Sequence, residues 1–390
     1  MSDQAVDVGA WLDQTTLVIC VGSGGVGKTT MAASIALQGA LRGRRAVVLT
    51  IDPARRLANS LGLSSIGNEA TRIDLSDRAK GDGALWAMML DSKTTFDSLI
   101  EKISPNEAVR DRIYGNHVYK HMAGTFAGSQ DYMATEILHD LVESGDYDLV
   151  VLDTPPVKNA LDFLESSNRL IEFLDERILS WFVSSETVQG SKRWLFNTQA
   201  VVGKLLGTLF GKDFLKDLTV FFQDFGNLYE GFVKRHKRVQ ELFSSSTTQF
   251  VTVCAPNEAS VQVAEFFQVE LGRRGFRRGG LVLNQCHVVR SVPPKTAQSI
   301  GRQLAAQQPD APEGSIADFE ARLEHAHETR RAYAESERVF QDRARKASRK
   351  LAFYKEIERQ EQAVNDLEGL VVLGDDFLQP AEHISGDESQ

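Results

Sequence analysis

The chain has 390 residues, 42% of them hydrophobic and 25% charged, with a formal net charge of -9. That is the composition of one large globular domain or two modest ones, and the acidic balance excludes a general nucleic-acid binder, whose phosphate-tracking surface needs a basic excess. Three cysteines, Cys20, Cys254 and Cys286, none in a C-x-x-C pair, exclude a disulfide framework and favour a reducing, cytoplasmic setting.

The opening stretch MSDQAVDVGAWLDQ has neither a basic n-region nor an apolar h-region, so no signal peptide is expected. LVICV at 17–21 is the first of several short apolar runs bounded by turn residues. AVVLTI (46–51), LWAMML (85–90), DLVVL (148–152), FVTVCA (250–255), GLVLN (280–284) and LVVLG (370–374) follow. Such runs lack alternation, as parallel strands covered on both faces require, and helical patterns separate most of them. The order predicts a doubly wound, mostly parallel α/β sheet that takes ligands at the carboxyl ends of its strands.

Residues 96–140 and 166–247 are too long for simple crossovers and are expected to be helical insertions that form a subdomain. The core is then discontinuous, 14–95, 141–165 and 248–375. In the second insertion Phe214, Leu218, Phe221, Phe225, Tyr229 and Phe232 recur at helical spacing, one face of a single helix. They are either core packing or a groove for an apolar ligand or partner helix. From Ile316 to about Leu367 Gly and Pro are absent, which predicts one or two long helices packed by one face. Residues 376–390 are expected to form a disordered polar tail. No apolar run reaches the roughly 18 residues a bilayer demands, and the basic clusters Arg42–Arg45 and Arg273–Arg278 are short enough to be solvated faces.

Chemistry concentrates in three motifs. GSGGVGKT, from Gly22 to Thr29, fits G-x-x-x-x-G-K-[ST], leaves a predicted strand and enters a predicted helix. Gly22, Gly24, Gly25 and Gly27 let its amides turn inward as an anion nest, Lys28 reaches the β/γ-phosphates, and Thr29 offers a hydroxyl to Mg²⁺; with Val26 and Thr30 these are the expected nucleotide-binding residues of the loop. YDLVVLDTPP ends an apolar strand in Asp153, placed to hold the same Mg²⁺ as the Walker B partner of Thr29. LTIDPARRLANSLG puts Asp52 at another strand end, where a carboxylate can orient or deprotonate the attacking water; turn chemistry at Asp-Pro is the alternative. Together they predict a Mg²⁺-dependent nucleoside triphosphate hydrolase.

These motifs, GGVGKTT, DPARRLANSLG, DTPPVKNALDFL and the late VLNQ, resemble the ArsA family of dimeric ATPases, over roughly residues 15 to 375. Members energise arsenite pumps or target tail-anchored membrane proteins. The resemblance implies Asp52 as the catalytic aspartate of the first switch, Asp153 as the metal residue of the second, and Asn284 as the reader of the adenine edge. It also implies a homodimer, or a heterodimer with a related subunit, and a position in the cytoplasm or at the periphery of a membrane. Ser23 departs from the pattern, because the family usually has a lysine there that reaches the partner's phosphates. Slow turnover, a substitute cation such as Arg55 or Arg56, a different subunit bringing its own lysine, or a loop that manages without are the readings. Without a C-x-x-C pair no zinc is expected, and Cys286-His287 alone is a weak ligand pair. The functional expectation is a nucleotide-driven switch for a hydrophobic client, a membrane-protein segment or lipid-like molecule. An energising subunit for anion or metalloid efflux, a partition-like positioning ATPase and a metabolic P-loop kinase are the alternatives.

Overall fold

The computed structural model describes residues 4–52, 56–117, 119, 130–155, 212–226, 228–288, 296–307, 314–360 and 362–383. Its strands are β1 (Gln4–Val6), β2 (Leu17–Val21), β3 (Arg45–Thr50), β4 (Thr71–Ile73), β5 (Ala84–Met89), β6 (Leu149–Asp153), β7 (Thr248–Cys254), β8 (Arg278–Cys286), β9 (Phe353–Glu358) and β10 (Ala381–His383). They form one sheet in the order β1-β10-β9-β8-β7-β2-β6-β3-β5-β4. From β9 to β5 every neighbouring pair is parallel. β4, β10 and β1 join at the edges through antiparallel pairs.

Apolar runs become central strands here because both of their faces are covered. Val18 and Cys20 of β2, Ala46 and Val48 of β3, and Leu149 and Val151 of β6 enter one core, with the helices Lys28–Leu41 and Leu367–Leu378. Their alternates, Leu17, Ile19, Val47, Leu49, Val150 and Leu152, enter a second core with the helices Gln130–Glu143, Tyr229–Ser244 and Glu258–Arg273. Alternation of side chains along each strand thus divides an uninterrupted apolar run between two layers of helices. The fold is the expected doubly wound sheet.

A third core belongs to both insertions. Phe96, Ile100, Ile113, Tyr132, Met133, Phe221 and Phe232 meet in it, from five helices that lie before and after β6 in sequence. Phe221 and Phe232 are 2% and 1% exposed, so these two rings pack the subdomain and line no groove. The single helix expected for this aromatic stretch is two, Lys212–Gly226 and Tyr229–Ser244, the first ending at Gly226, a residue type that ends helices. The side chains of Phe214 and Phe225 lie outside the described residues.

Three carboxy-terminal expectations are corrected. LVVLG at 370–374 lies in the helix Leu367–Leu378, not in a strand: Leu370, Leu373, Gly374 and Phe377 are buried at helical spacing, while Val372 is 58% exposed. Asp366 starts this helix, its side chain accepting from the Gly369 amide at 2.8 Å. A short apolar run is ambiguous by periodicity, and here the packing decides. The long charged stretch is one helix only as far as Ala347, on a stripe that includes Ala334, Glu337 and Ala344; its remainder contains β9, where Phe353, Tyr354 and Ile357 are buried. The expected disordered tail includes β10, which pairs with β1 and β9. No helix among the described residues is long and apolar enough to cross a membrane.

Phe377 anchors the corrected helix, fully buried with its ring edge-on to Phe353 and Trp11 at centroid distances of 5.8 and 6.5 Å. Phe377→Ala is expected to cost about 3–5 kcal/mol, read from the urea unfolding midpoint; a wild-type midpoint contradicts this docking.

Candidate nucleotide-binding site

Cys20 of β2, Thr50 of β3 and Asp153 of β6 align laterally at the carboxyl ends of three adjacent parallel strands. β2 lies between β7 and β6, where successive connections leave in opposite directions, the crevice in which such sheets bind ligands. The loop from Gly22 leads out of β2 and into the helix Lys28–Leu41. Two of its glycines are required by space. A Cβ on Gly22 would lie 2.0 Å from the Val253 carbonyl oxygen of β7, and one on Gly27, where φ is 88°, would lie 2.5 Å from Asn284 Nδ2.

Side chains hold the carbonyls of this loop. Lys28 Nζ donates to Ser23 O at 2.8 Å, Asn284 Nδ2 to Val26 O at 2.9 Å and Gln285 Nε2 to Gly25 O at 3.2 Å. In a planar trans peptide the N–H points opposite to the carbonyl. The amides of Gly24, Val26 and Gly27 are therefore turned to the other side of the loop, the arrangement of an anion nest.

Below the loop a chain of hydrogen bonds joins the start of the helix Lys28–Leu41 to β6 and β3. Thr29 Oγ1 donates to Asp153 Oδ2 at 2.7 Å, and Thr50 Oγ1 donates to the same oxygen at 3.0 Å. The Asp52 amide in turn donates to Thr50 Oγ1 at 3.2 Å. Asp153 is 1% exposed, and burial pushes its carboxyl up to about 6 against the opposing pull of Thr29, Thr50 and Lys28. Its second oxygen, Oδ1, is buried with no hydrogen-bond partner among the described residues. Lys28 is 7% exposed, and burial lowers its ammonium while the nearby Asp153 opposes that shift. Beside them Thr154 Oγ1 donates to Cys20 O at 2.7 Å, fixing the chain as it leaves β6.

Asp52 carries an ion pair to Arg56 at 3.6 Å, with its side chain 23% exposed. Both Lys28 and Asp153 feel its charge, so Asp52 and the loop share one electrostatic site. Arg55 lies outside the described residues. Ser23 is turned to a different neighbour, with its Oγ 2.9 Å from Ser260 Oγ.

Next to Gly27 and Thr30 a cavity of about 370 Å³ opens, lined also by Asn284, Gln285, Arg359 and Gln360. Its size suits a nucleoside-sized ligand, where pockets run from roughly 300 Å³ upward. Gln285, Arg359 and Gln360 were not anticipated. Gln285 adjoins Asn284 and has a left-handed φ of 65°, which the letters do not reveal. Arg359 and Gln360 follow β9, in a stretch that reads as helix. The three cysteines are all buried, and burial pushes the Cys254 thiol up to about 12.

Mg²⁺ fits these residues: a desolvated carboxylate oxygen on Asp153, without a hydrogen-bond partner among the described residues, belongs to the carboxylate that the Thr29 hydroxyl reaches, the oxygen donor set that this ion prefers. A glycine-rich loop between strand and helix, its lysine at the helix start and a strand-tip aspartate beneath, defines a P-loop nucleoside triphosphatase. Comparison narrows the class. A family model described as Anion-transporting ATPase matches residues 15–308, and the chain belongs to that family and is an ATPase. It is 27% identical over 279 residues to ATPase GET3 of Malassezia globosa, covering 70% of this chain and 74% of that protein. It is 24% identical over 266 residues to ATPase ASNA1 homolog 1 of Paramecium tetraurelia, covering 68% and 73%.

Because the folded-state value of Asp153 is raised from 3.8 to about 6, the native protein keeps a proton in that window that the unfolded chain has lost. Its contribution therefore makes stability fall as pH rises from about 4 to 6. Asp153→Asn removes the penalty. In nucleotide-free protein, the stability of this variant relative to wild type should grow by roughly 2–3 kcal/mol between pH 4 and 7 in urea titrations. A difference independent of pH contradicts the assignment.

Proposed function

We propose that the chain binds Mg-ATP on the loop from Gly22 to Thr30, hydrolyses it, and uses the cycle to switch a dimer between states that bind and release a hydrophobic client. The hydrogen-bond chain Thr29–Asp153–Thr50–Asp52 carries this reading, because it joins the phosphate loop, the metal residue and the candidate base. Lys28 and the loop amides hold the β- and γ-phosphates, and Thr29 and Asp153 hold Mg²⁺, which when bound neutralises charge on those oxygens. Asp52 orients the attacking water and accepts its proton, with Arg56 steering the carboxylate. Asn284, held against the loop, presents the rest of its amide to the adenine edge in the adjoining cavity.

Transmission to the client is supported by the helix Gln130–Glu143. It precedes β6, whose last residue is Asp153, and it packs by Ala134 and Leu138 against the sheet and by Tyr132 and Met133 into the subdomain core. A shift at the β6 tip moves a helix shared by both layers. The client is a membrane-protein segment or lipid-like molecule, taken up in the cytoplasm or at a membrane surface. The efflux reading draws no support from the thiols, which are buried.

Asp52→Asn should lower kcat by about 10²-fold or more while ATP affinity in calorimetry changes little; unchanged turnover removes Asp52 from the chemistry. Ser23→Lys supplies the charge that serine lacks, and turnover should rise with protein concentration as dimers form, toward the 10³-fold or greater effect of such cations in other NTPases. For the client, an apolar helical peptide should bind differently to the ATP-loaded and ADP-loaded protein. Equal binding in both states, by fluorescence anisotropy, would defeat the switch.

A further inference from the structure

Ser23 takes the place of a charge, yet its side chain is engaged. Its Oγ lies 2.9 Å from the Oγ of Ser260, a residue only 3% exposed in the first turn of the helix Glu258–Arg273. Two bonds lock Ser260 in turn: its amide donates to Asn257 Oδ1 at 3.0 Å, and its Oγ accepts from the Ala255 amide at 2.9 Å. With the Ala255 amide hydrogen on it, the Ser260 oxygen keeps one hydrogen and one lone pair, so either hydroxyl can donate in the serine pair. In the arrangement where Ser260 donates, its hydroxyl hydrogen is directed at Ser23. Ser23 then accepts, and its hydroxyl hydrogen is left for another acceptor. The carbonyl of this same residue receives the Lys28 ammonium at 2.8 Å.

We infer that Ser260 is a positioning residue for the phosphate loop. The relay Ala255 N–H, Ser260 O–H, Ser23 O–H ties the loop to the end of β7 and polarises the Ser23 hydroxyl as an added donor toward a bound phosphate oxygen. Each hydroxyl that receives a hydrogen bond donates more strongly, and burial at Ser260 keeps water from competing. The relay supplies within one chain a neutral contact at the residue where the family pattern has a cation reaching across the dimer. Preorganisation is its effect: residue 23 is held before nucleotide arrives, so less ordering remains to be done on binding. Charge is not part of it. A donor present equally in the ground and transition states strengthens binding and leaves kcat almost unaltered.

The inference rests on the reading of this loop as the nucleotide site. Calorimetric affinity for Mg-ADP and steady-state kcat, measured on wild type, Ser23→Ala, Ser260→Ala, the double variant and Ser23→Thr, test it. Each single alanine variant should weaken Mg-ADP binding roughly three- to tenfold, the range one net hydrogen bond supplies, and should lower affinity more than kcat. The double variant should bind no worse than the weaker single one, since both remove the same relay. Ser23→Thr, which keeps the hydroxyl, should retain wild-type affinity. Unchanged affinity in either alanine variant, or a double effect equal to the product of the singles, overturns the relay. Ser23 is partly exposed, so Ser23→Ala and Ser23→Thr still decide the matter if Ser260→Ala fails to fold. No binding by wild-type protein overturns both this inference and the nucleotide-site reading, whereas intact binding in all variants overturns this inference alone.

Discussion

A carboxylate buried where three parallel strands end is the constraint around which this protein is arranged. Asp153 has almost no contact with water, and an anion in that position costs free energy unless something compensates it. Thr29 and Thr50 each give a hydroxyl to one oxygen, and Lys28 lies close enough to be felt. The other oxygen has no hydrogen-bond partner among the described residues. A group so placed is poorly justified as a contributor to stability. A bound cation would compensate it, and under the proposed function the surrounding strands, hydroxyls and glycine-rich loop serve that cation and its polyphosphate.

The same economy governs the loop above it. Three of its carbonyls are bound by Lys28, Asn284 and Gln285, so its peptide planes are set before any ligand arrives. Fixed dipoles cost no reorganisation when charge develops, which is why preorganised donors dominate catalysis of phosphoryl transfer. Asn284 thus has two duties, one of them structural. Its amide orients the Val26 peptide while its residue lines the adjoining cavity.

Legibility in the sequence followed the range of the interactions. Gly22, Lys28 and Thr29 act through spacing along one turn, so their pattern could be read directly. Asp153 and Asp52 were legible because a strand end is a local feature, and parallel register then brings Thr50 level with Asp153. Ser260, Gln285, Arg359 and Gln360 carry no such mark, since their importance comes from strands and helices far away in the chain. The run LVVLG misled for a related reason: five apolar letters suit a strand or one helix face, and only the burial of Leu370, Leu373 and Phe377 against Trp11 and Phe353 separates the two. Aromatic spacing in the second insertion was equally silent on whether the rings face a ligand or one another. Phe221 and Phe232 face one another's layer.

What the sequence determined alone was the class of chemistry and the kind of sheet, because a phosphate loop and a doubly covered strand are both written in consecutive residues. The tertiary structure decided which side chains complete the site, how the two insertions combine into one core, and that the carboxy-terminal apolar run is a helix. Those outcomes depend on contacts between segments separated by tens to hundreds of residues, such as Thr29 with Asp153 and Ser23 with Ser260. Folding, not adjacency in the chain, brings such pairs within hydrogen-bonding distance.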